Sequence, residues 1–204
     1  MINDNENEDV YVSSFEYIKK KLEGKKDSFG KLMREVIRSG VCTHCATCAA
    51  ICDVLEWDPI LQEPHLVGEC TGCGACYNNC PRTITDPIAL VGEFKTGYIT
   101  KTGIPEVKGG QDGGTITSLL CYLFDENLID GATITAKDPN KPWVPIAKLI
   151  TNKKEAIESS GSIYCHSQTV NALMEGIRKN LRSMAFVGTP CNIDAIYKME
   201  NSPM

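Results

Sequence analysis

Eight of the chain's eleven cysteines fall between residues 42 and 80, in two runs of identical spacing. The first is Cys42-Thr-His-Cys45-Ala-Thr-Cys48-Ala-Ala-Ile-Cys52, and the second is Cys70-Thr-Gly-Cys73-Gly-Ala-Cys76-Tyr-Asn-Asn-Cys80-Pro81. Both read C-x2-C-x2-C-x3-C. Two intervening residues let successive thiolates wrap one corner of an iron–sulfur cubane, while the fourth cysteine lies beyond a helical turn and points to the neighbouring cluster. The spacing therefore assigns Cys42, Cys45, Cys48 and Cys80 to one [4Fe-4S] cluster, and Cys70, Cys73, Cys76 and Cys52 to a second. Paired zinc sites would use C-x2-C pairs and leave the third and fourth cysteines of each run surplus. The first run ends in Cys52-Asp53 where the second ends in Cys80-Pro81, which keeps the ligand count and changes only the local turn.

The rest of the composition places this module in a globular setting. With 204 residues, the chain can hold a small metal-stapled module and a compact α/β unit. Hydrophobic residues at 42% and charged residues at 23% are those of a soluble protein, and neither a membrane-length apolar run nor a secretory leader is visible, so a cytoplasmic location is expected. Eleven cysteines without a secretory leader argue for metal and redox chemistry rather than disulfides. A formal net charge of -5 argues against nucleic acid or an anionic membrane as partner. The lysines at 19, 20, 21, 25 and 26 read as the solvated face of a short helix.

Four regions follow along the chain. Residues 1–12, rich in Asn, Asp and Glu, read as a disordered acidic tail. Residues 13–40 carry two helical periodicities, one through Phe15, Ile18 and Leu22 and one behind Ser28 through Phe29, Leu32, Met33, Val36 and Ile37, with Gly24 and Gly40 as stops. Residues 41–82 are the cysteine module, expected to be dominated by short loops because the metal supplies its organisation. Residues 83–204 read as an α/β domain. Here 87–108 is ambiguous between strand and loop, and Thr115–Leu128 has an apolar helical face in Ile116, Leu119, Leu120, Leu123 and Phe124. Gly131–Ala136 and Val144–Ile150 are strands. Ser167–Asn180 is a helix with Val170, Leu173, Met174 and Ile177 inward, Met184–Gly188 is a buried strand, and Pro190 opens a last helix. The fold class is thus an α+β ferredoxin-like two-cluster module followed by an α/β domain with a mostly parallel sheet.

Residues 109–118 read Gly-Gly-Gln-Asp-Gly-Gly-Thr-Ile-Thr-Ser and end where a helix begins. Such a segment can let a ligand approach the backbone closely and present N–H groups to an anion, or it can be a tight structural turn. Cys121 reads as core and Cys165 with His166 as an incidental polar loop. His44 reads as a plain loop histidine inside a cysteine run.

The doubled cysteine run is followed in order by Gln111-Asp-Gly-Gly-Thr-Ile-Thr-Ser-Leu-Leu, by Leu128-Ile-Asp-Gly-Ala and by Phe186-Val-Gly-Thr-Pro-Cys. This order resembles the beta-subunit family of coenzyme F420 hydrogenase and dehydrogenase. The resemblance implies binding of FAD, hydride exchange with the deazaflavin coenzyme F420, and electron transfer through the clusters to a hydrogenase, formate dehydrogenase, heterodisulfide reductase or sulfite reductase. It places Gln111, Asp112, Gly113, Gly114, Thr115, Thr117, Gly188, Thr189 and Cys191 at the flavin or deazaflavin. Cys191, in the first turn of its helix, is either a thiolate near cluster or flavin or an inert thiol. Family members continue beyond this helix, so the chain is expected to be truncated at its C-terminus or completed by a second chain. An F420-linked oxidoreductase subunit is the first functional reading, and a ferredoxin-like electron-transfer module without its own complete active site is the second.

Overall fold

The computed structural model describes residues 28–84, 93–107 and 113–202. The acidic tail, the first N-terminal helix, Gln111 and Asp112 lie outside the described residues. Helix α1 (Phe29–Leu32) opens after Ser28, whose carbonyl accepts from Lys31 N at 3.0 Å, and continues as a wider π-helical turn over Met33–Ile37. The chain leaves it through Gly40 at φ +77°. Phe29, Leu32 and Val36 are buried with Leu55, Cys76, Tyr77 and Cys80, so this helix supplies the apolar cover of the cysteine module. The Tyr77 hydroxyl donates to Glu35 Oε2 at 2.6 Å and fixes the helix against the second cysteine run.

The module itself is more regular than short loops. Each run carries a one-turn helix, α2 (Thr47–Ala50) and α3 (Ala75–Asn78), and between the runs lies an antiparallel hairpin of β1 (Leu55–Asp58) and β2 (Glu63–Leu66), with Leu55 opposite Leu66 and Trp57 opposite Pro64. The hairpin turn is built on Asp58, whose Oδ1 accepts from Ile60 N at 2.7 Å and Leu61 N at 2.9 Å, an Asx-type arrangement. Four-residue strands with Pro and Glu in them carry little periodicity, which is why the hairpin is not readable from the sequence.

The second unit runs α4 (Thr115–Asp125), β3 (Gly131–Lys137), β4 (Pro145–Ile150), α5 (Lys153–Glu158), α6 (Thr169–Arg178), β5 (Met184–Phe186) and α7 (Pro190–Asn201). Residues 93–107 form no helix or strand. The sheet has the order β4-β3-β5, with β3 antiparallel to β4 and parallel to β5. The expected mostly parallel sheet is therefore corrected to a mixed one. The connection from Asp138 to Val144 is too short for a crossover and folds as a hairpin link, whereas β5, reached from β4 through two helices, lies parallel to β3.

Leu120, Ala132, Ile134, Ile150 and Ala156 form the core of this unit. Two helix faces differ from the periodicity. In α4, Leu120 and Cys121 are buried while Ile116 and Leu119 are exposed, so Cys121 is core as expected and the apolar face is narrower. In α6 the buried face is Thr169, Val170, Ala172 and Gly176, and Ile177 faces out. Small residues let α6 approach the sheet closely: a Cβ on Gly176 would lie 2.5 Å from Met184 Sδ. A reading that seeks large apolar residues misses a face made of small ones.

Gly113 and Gly114 both sit at positive φ, +92° and +68°. A Cβ on Gly113 would lie 2.5 Å from Thr100 O, and one on Gly114 3.1 Å from Thr102 Cγ2 and Val107 Cγ1. Thr102 N also donates to Gly113 O at 2.6 Å. These glycines are required by the chain's own packing. Gly113→Ala is expected to destabilise the fold by at least about 1–2 kcal/mol, the cost of an L-residue in the left-handed region, before the backbone overlap is added. Urea unfolding of parent and variant measures it, and an unchanged midpoint would refute it.

Candidate functional site

The two cysteine runs repeat one backbone shape. In the first, His44 and Ala46 flank Cys45 at φ +54° and +58°; in the second, Gly72 and Gly74 flank Cys73 at φ +70° and +82°. The second run meets this demand with glycine and the first with residues that cost more there. Alternation of this kind turns successive N–H groups inward and makes a concavity suited to negative charge. N–H and O–H groups already face sulfur: His44 N lies 3.4 Å from Cys42 Sγ, Thr47 Oγ1 3.3 Å from Cys45 Sγ and Arg82 N 3.5 Å from Cys80 Sγ.

The runs also interleave. Burial pushes the Cys80 thiol up to about 12, with Cys45 and Cys42 of the other run acting on it in the same direction. Burial pushes the Cys76 thiol up to about 12 as well, and there the added charges are Cys52, Cys70 and Cys73. Cys48, raised well above the ordinary thiol value by burial, has Cys45, Cys80 and Cys42 as its main thiol neighbours, then Cys76. Thiols of the two runs thus lie within electrostatic reach of each other, Cys80 with Cys45 and Cys42 and Cys76 with Cys52. Buried thiols of this kind hold their protons unless a metal takes the negative charge, and the donor set, sulfur only with inward N–H groups, fits iron–sulfur ligation. Among the described residues no group of three or more His, Cys, Asp and Glu converges on one metal ion. A cubane does not need that, since each thiolate binds its own iron.

Beside the first run opens a cavity of about 740 Å³. Several separate segments build its wall. The start of α4 contributes Gly114, Thr115, Ile116 and Thr117; the turn into α7 contributes Gly188, Thr189, Cys191 and Asn192; and the first cysteine run contributes Thr43, His44 and Cys45. Gly113 is outside the wall, packed on Thr100. At the α7 start, Thr189 N donates to Asn192 Oδ1 at 3.2 Å and Thr189 Oγ1 to the same oxygen at 2.7 Å, with Pro190 opening the helix. Cys191 Sγ lies 3.0 Å from Thr189 Oγ1 and is among the groups acting on Cys42, which places it between cavity and cysteine module.

The wall holds polar atoms with no partner among the described residues: Thr43 Oγ1, Ser167 Oγ, Thr169 Oγ1 and Asn192 Nδ2. Thr169 is 2% exposed and Asn192 5%. Unsatisfied buried polar groups are costly, and four of them fall on residues of this one wall, where a ligand or water could satisfy them. The size and mostly apolar wall are those of a small-molecule or cofactor pocket.

The sequence reading missed one wall. Gly161, Ser162, Ile163, Cys165, His166, Ser167 and Thr169 form it, so Cys165 and His166 are cavity residues rather than an incidental loop. The His166 ring packs 4.8 Å from that of His44, whose Nδ1 donates to Gln62 O at 2.7 Å. The polar composition of residues 159–168 carries no pattern from which this could be read; only α6, folding back on the sheet, brings the loop to the first cysteine run.

The chain is a mixed α/β protein with a polar-studded cavity where its α/β unit meets a thiol-rich module. Residues 95–174 match the model of the family described as coenzyme F420 hydrogenase/dehydrogenase, beta subunit N-term. It is 32% identical over 178 residues to the coenzyme F420-dependent sulfite reductase of Methanocaldococcus jannaschii, covering 84% of this chain and 27% of that protein. It is 31% identical to the coenzyme F420 hydrogenase subunit beta of Methanosarcina barkeri over 59% of this chain and 41% of that subunit. The chain thus spans well under half of either relative. A solved structure of the F420-reducing [NiFe] hydrogenase complex from Methanosarcina barkeri aligns with a TM-score of 0.48 and 27% identity, over 52% of this chain and 36% of that one.

If Thr169 Oγ1 is held for a ligand, it contributes nothing to the ligand-free fold. Thr169→Val, which keeps the shape and removes the unpaired hydroxyl, should then leave the ligand-free protein as stable as the parent or more stable by about 1 kcal/mol. Thermal unfolding without added ligand checks this; a clear loss of stability would show that the hydroxyl has a partner within the protein.

Proposed function

We infer that the chain is the electron-transfer part of a coenzyme F420-linked redox subunit, with FAD in the 740 Å³ cavity and two [4Fe-4S] clusters in the cysteine module. One observation carries the reading: the cavity wall includes Thr43, His44 and Cys45, so a cofactor held there lies against the first cysteine run. The family match supports F420 as the hydride partner. A deazaflavin exchanges hydride, a cluster accepts single electrons, and a flavin between them converts one to the other. The N–H groups at the start of α4 and the turn at Gly188 and Thr189 would orient the cofactor. The unpaired atoms of Asn192, Thr169 and Ser167 would hold its polar parts. Cys42, Cys45, Cys48 and Cys80 would carry the nearer cluster, and Cys52, Cys70, Cys73 and Cys76 the farther one, whose Cys70 and Cys73 are exposed.

On this reading the activity is that of a coenzyme F420-dependent oxidoreductase of beta-subunit type. Its electrons pass to a hydrogenase, formate dehydrogenase, heterodisulfide reductase or sulfite reductase. The relatives named for F420-dependent sulfite reduction and F420 hydrogenase support such partners. Among the described residues no helix is long and apolar enough to cross a membrane.

Anaerobically purified protein should contain about eight irons per chain. Cys80→Ala should damage the cluster carried by Cys42, Cys45 and Cys48 and spare the other; the reverse result would refute the crossed assignment. Thr169→Val should weaken FAD binding roughly two- to twelvefold, the effect of one lost hydrogen bond of about 0.5–1.5 kcal/mol, with the iron content unchanged. Flavin fluorescence titration reads this, and equal affinities would remove the cavity hydroxyl from the site.

A further inference from the structure

Helix α7 begins at the cavity and, two turns on, places a lysine against the cysteine module. Lys198 is only 7% exposed, its Nζ donates to Cys80 O at 2.8 Å, and Asp194 Oδ2 lies 3.4 Å away as its one salt-bridge partner among the described residues. A buried lysine is uncommon, because desolvating the ammonium is costly and its long side chain loses rotamer freedom. A contact whose only task was to fasten α7 to the module could be made by an apolar side chain at lower cost. The position is selective as well: the thiols nearest in charge to Lys198 are Cys80 and Cys45, both of the set Cys42, Cys45, Cys48 and Cys80. The other set carries the exposed Cys70 and Cys73, where solvent screens charge.

Resting on the cluster reading above, we propose that Lys198 is a positioning residue for electron transfer: its buried ammonium raises the reduction potential of the cluster held by Cys42, Cys45, Cys48 and Cys80. Reduction adds one electron, hence one negative charge, to that cluster. A fixed cation in a region of low dielectric stabilises the reduced form more than the oxidised form, and charge and hydrogen bonding at the ligands are among the factors that set iron–sulfur potentials. Because α7 also carries Thr189, Cys191 and Asn192 at the cavity, one helix supplies both a cofactor wall and the charge that makes the nearer cluster the readier acceptor. Asp194 offsets part of that charge and limits the effect.

The test is a redox titration of the anaerobic protein followed by EPR. The signal of the first cluster is assigned from a Cys73→Ala chain that keeps that ligand set whole. In Lys198→Met, at a fixed solution potential, the reduced-to-oxidised ratio of this cluster should fall about tenfold, a downward shift of about 59 mV for a one-electron couple. The second cluster should not move, and Lys198→Arg should stay near the parent. Asp194→Asn, which keeps the lysine and removes its counter-charge, should move the first cluster upward. Full iron with no shift in Lys198→Met, or equal shifts of both clusters, would overturn the proposal. Where Lys198→Met does not assemble, Asp194→Asn decides by sign: an upward shift supports the proposal and none refutes it. A parent without iron would instead overturn the cluster reading, and the proposal with it, before any variant is compared.

Discussion

The packing of the second cysteine run under the first helix is the constraint on which the rest of the molecule hangs. Cys80 has Cys45 and Cys42 of the first run as charge neighbours, and Cys76 has Cys52, so thiols of the two runs are held close together. Closing two loops onto each other brings Tyr77, Cys76 and Cys80 under Phe29, Leu32 and Val36, and so gives α1 a surface to cover. It also presents Cys80 O outward, where α7 meets it through Lys198.

The second unit is joined to the module at two places that share α7. Its first turn shapes the cavity through Thr189 and Asn192, and its later turns reach the cysteine module through Lys198. Small residues on α6 let that helix lie close to the sheet, which draws the loop before it, with Cys165 and His166, against His44. The cavity is therefore a product of packing rather than of any single motif. Its unpaired hydroxyl and amide groups stand at the ends of segments whose own backbone needs are already met.

The glycine pair before α4 shows how a motif can be read for the wrong cause. Glycines ahead of a helix suggest a loop that makes room for a ligand, but Gly113 makes room for Thr100, and Gly114 for Thr102 and Val107. The helix start still faces the cavity through Gly114, Thr115 and Thr117. The physical demand for glycine there came from the chain itself.

The repeated cysteine spacing was legible as a repeated local shape: the same left-handed positions recur around Cys45 and Cys73. Helix starts at Thr115 and Pro190, the strands at Gly131 and Met184, and the burial of Cys121 were legible for the same reason, since caps, prolines and periodicity act within a few residues. The β1–β2 hairpin, the antiparallel pairing of β3 with β4 and the inward face of α6 were not, because short strands have little period and small residues leave no hydrophobic mark. Only the tertiary structure brought together His44 and His166, Cys80 and Lys198, and the segments around the cavity. Those meetings depend on how distant elements pack, and no local pattern records a partner more than a hundred residues away.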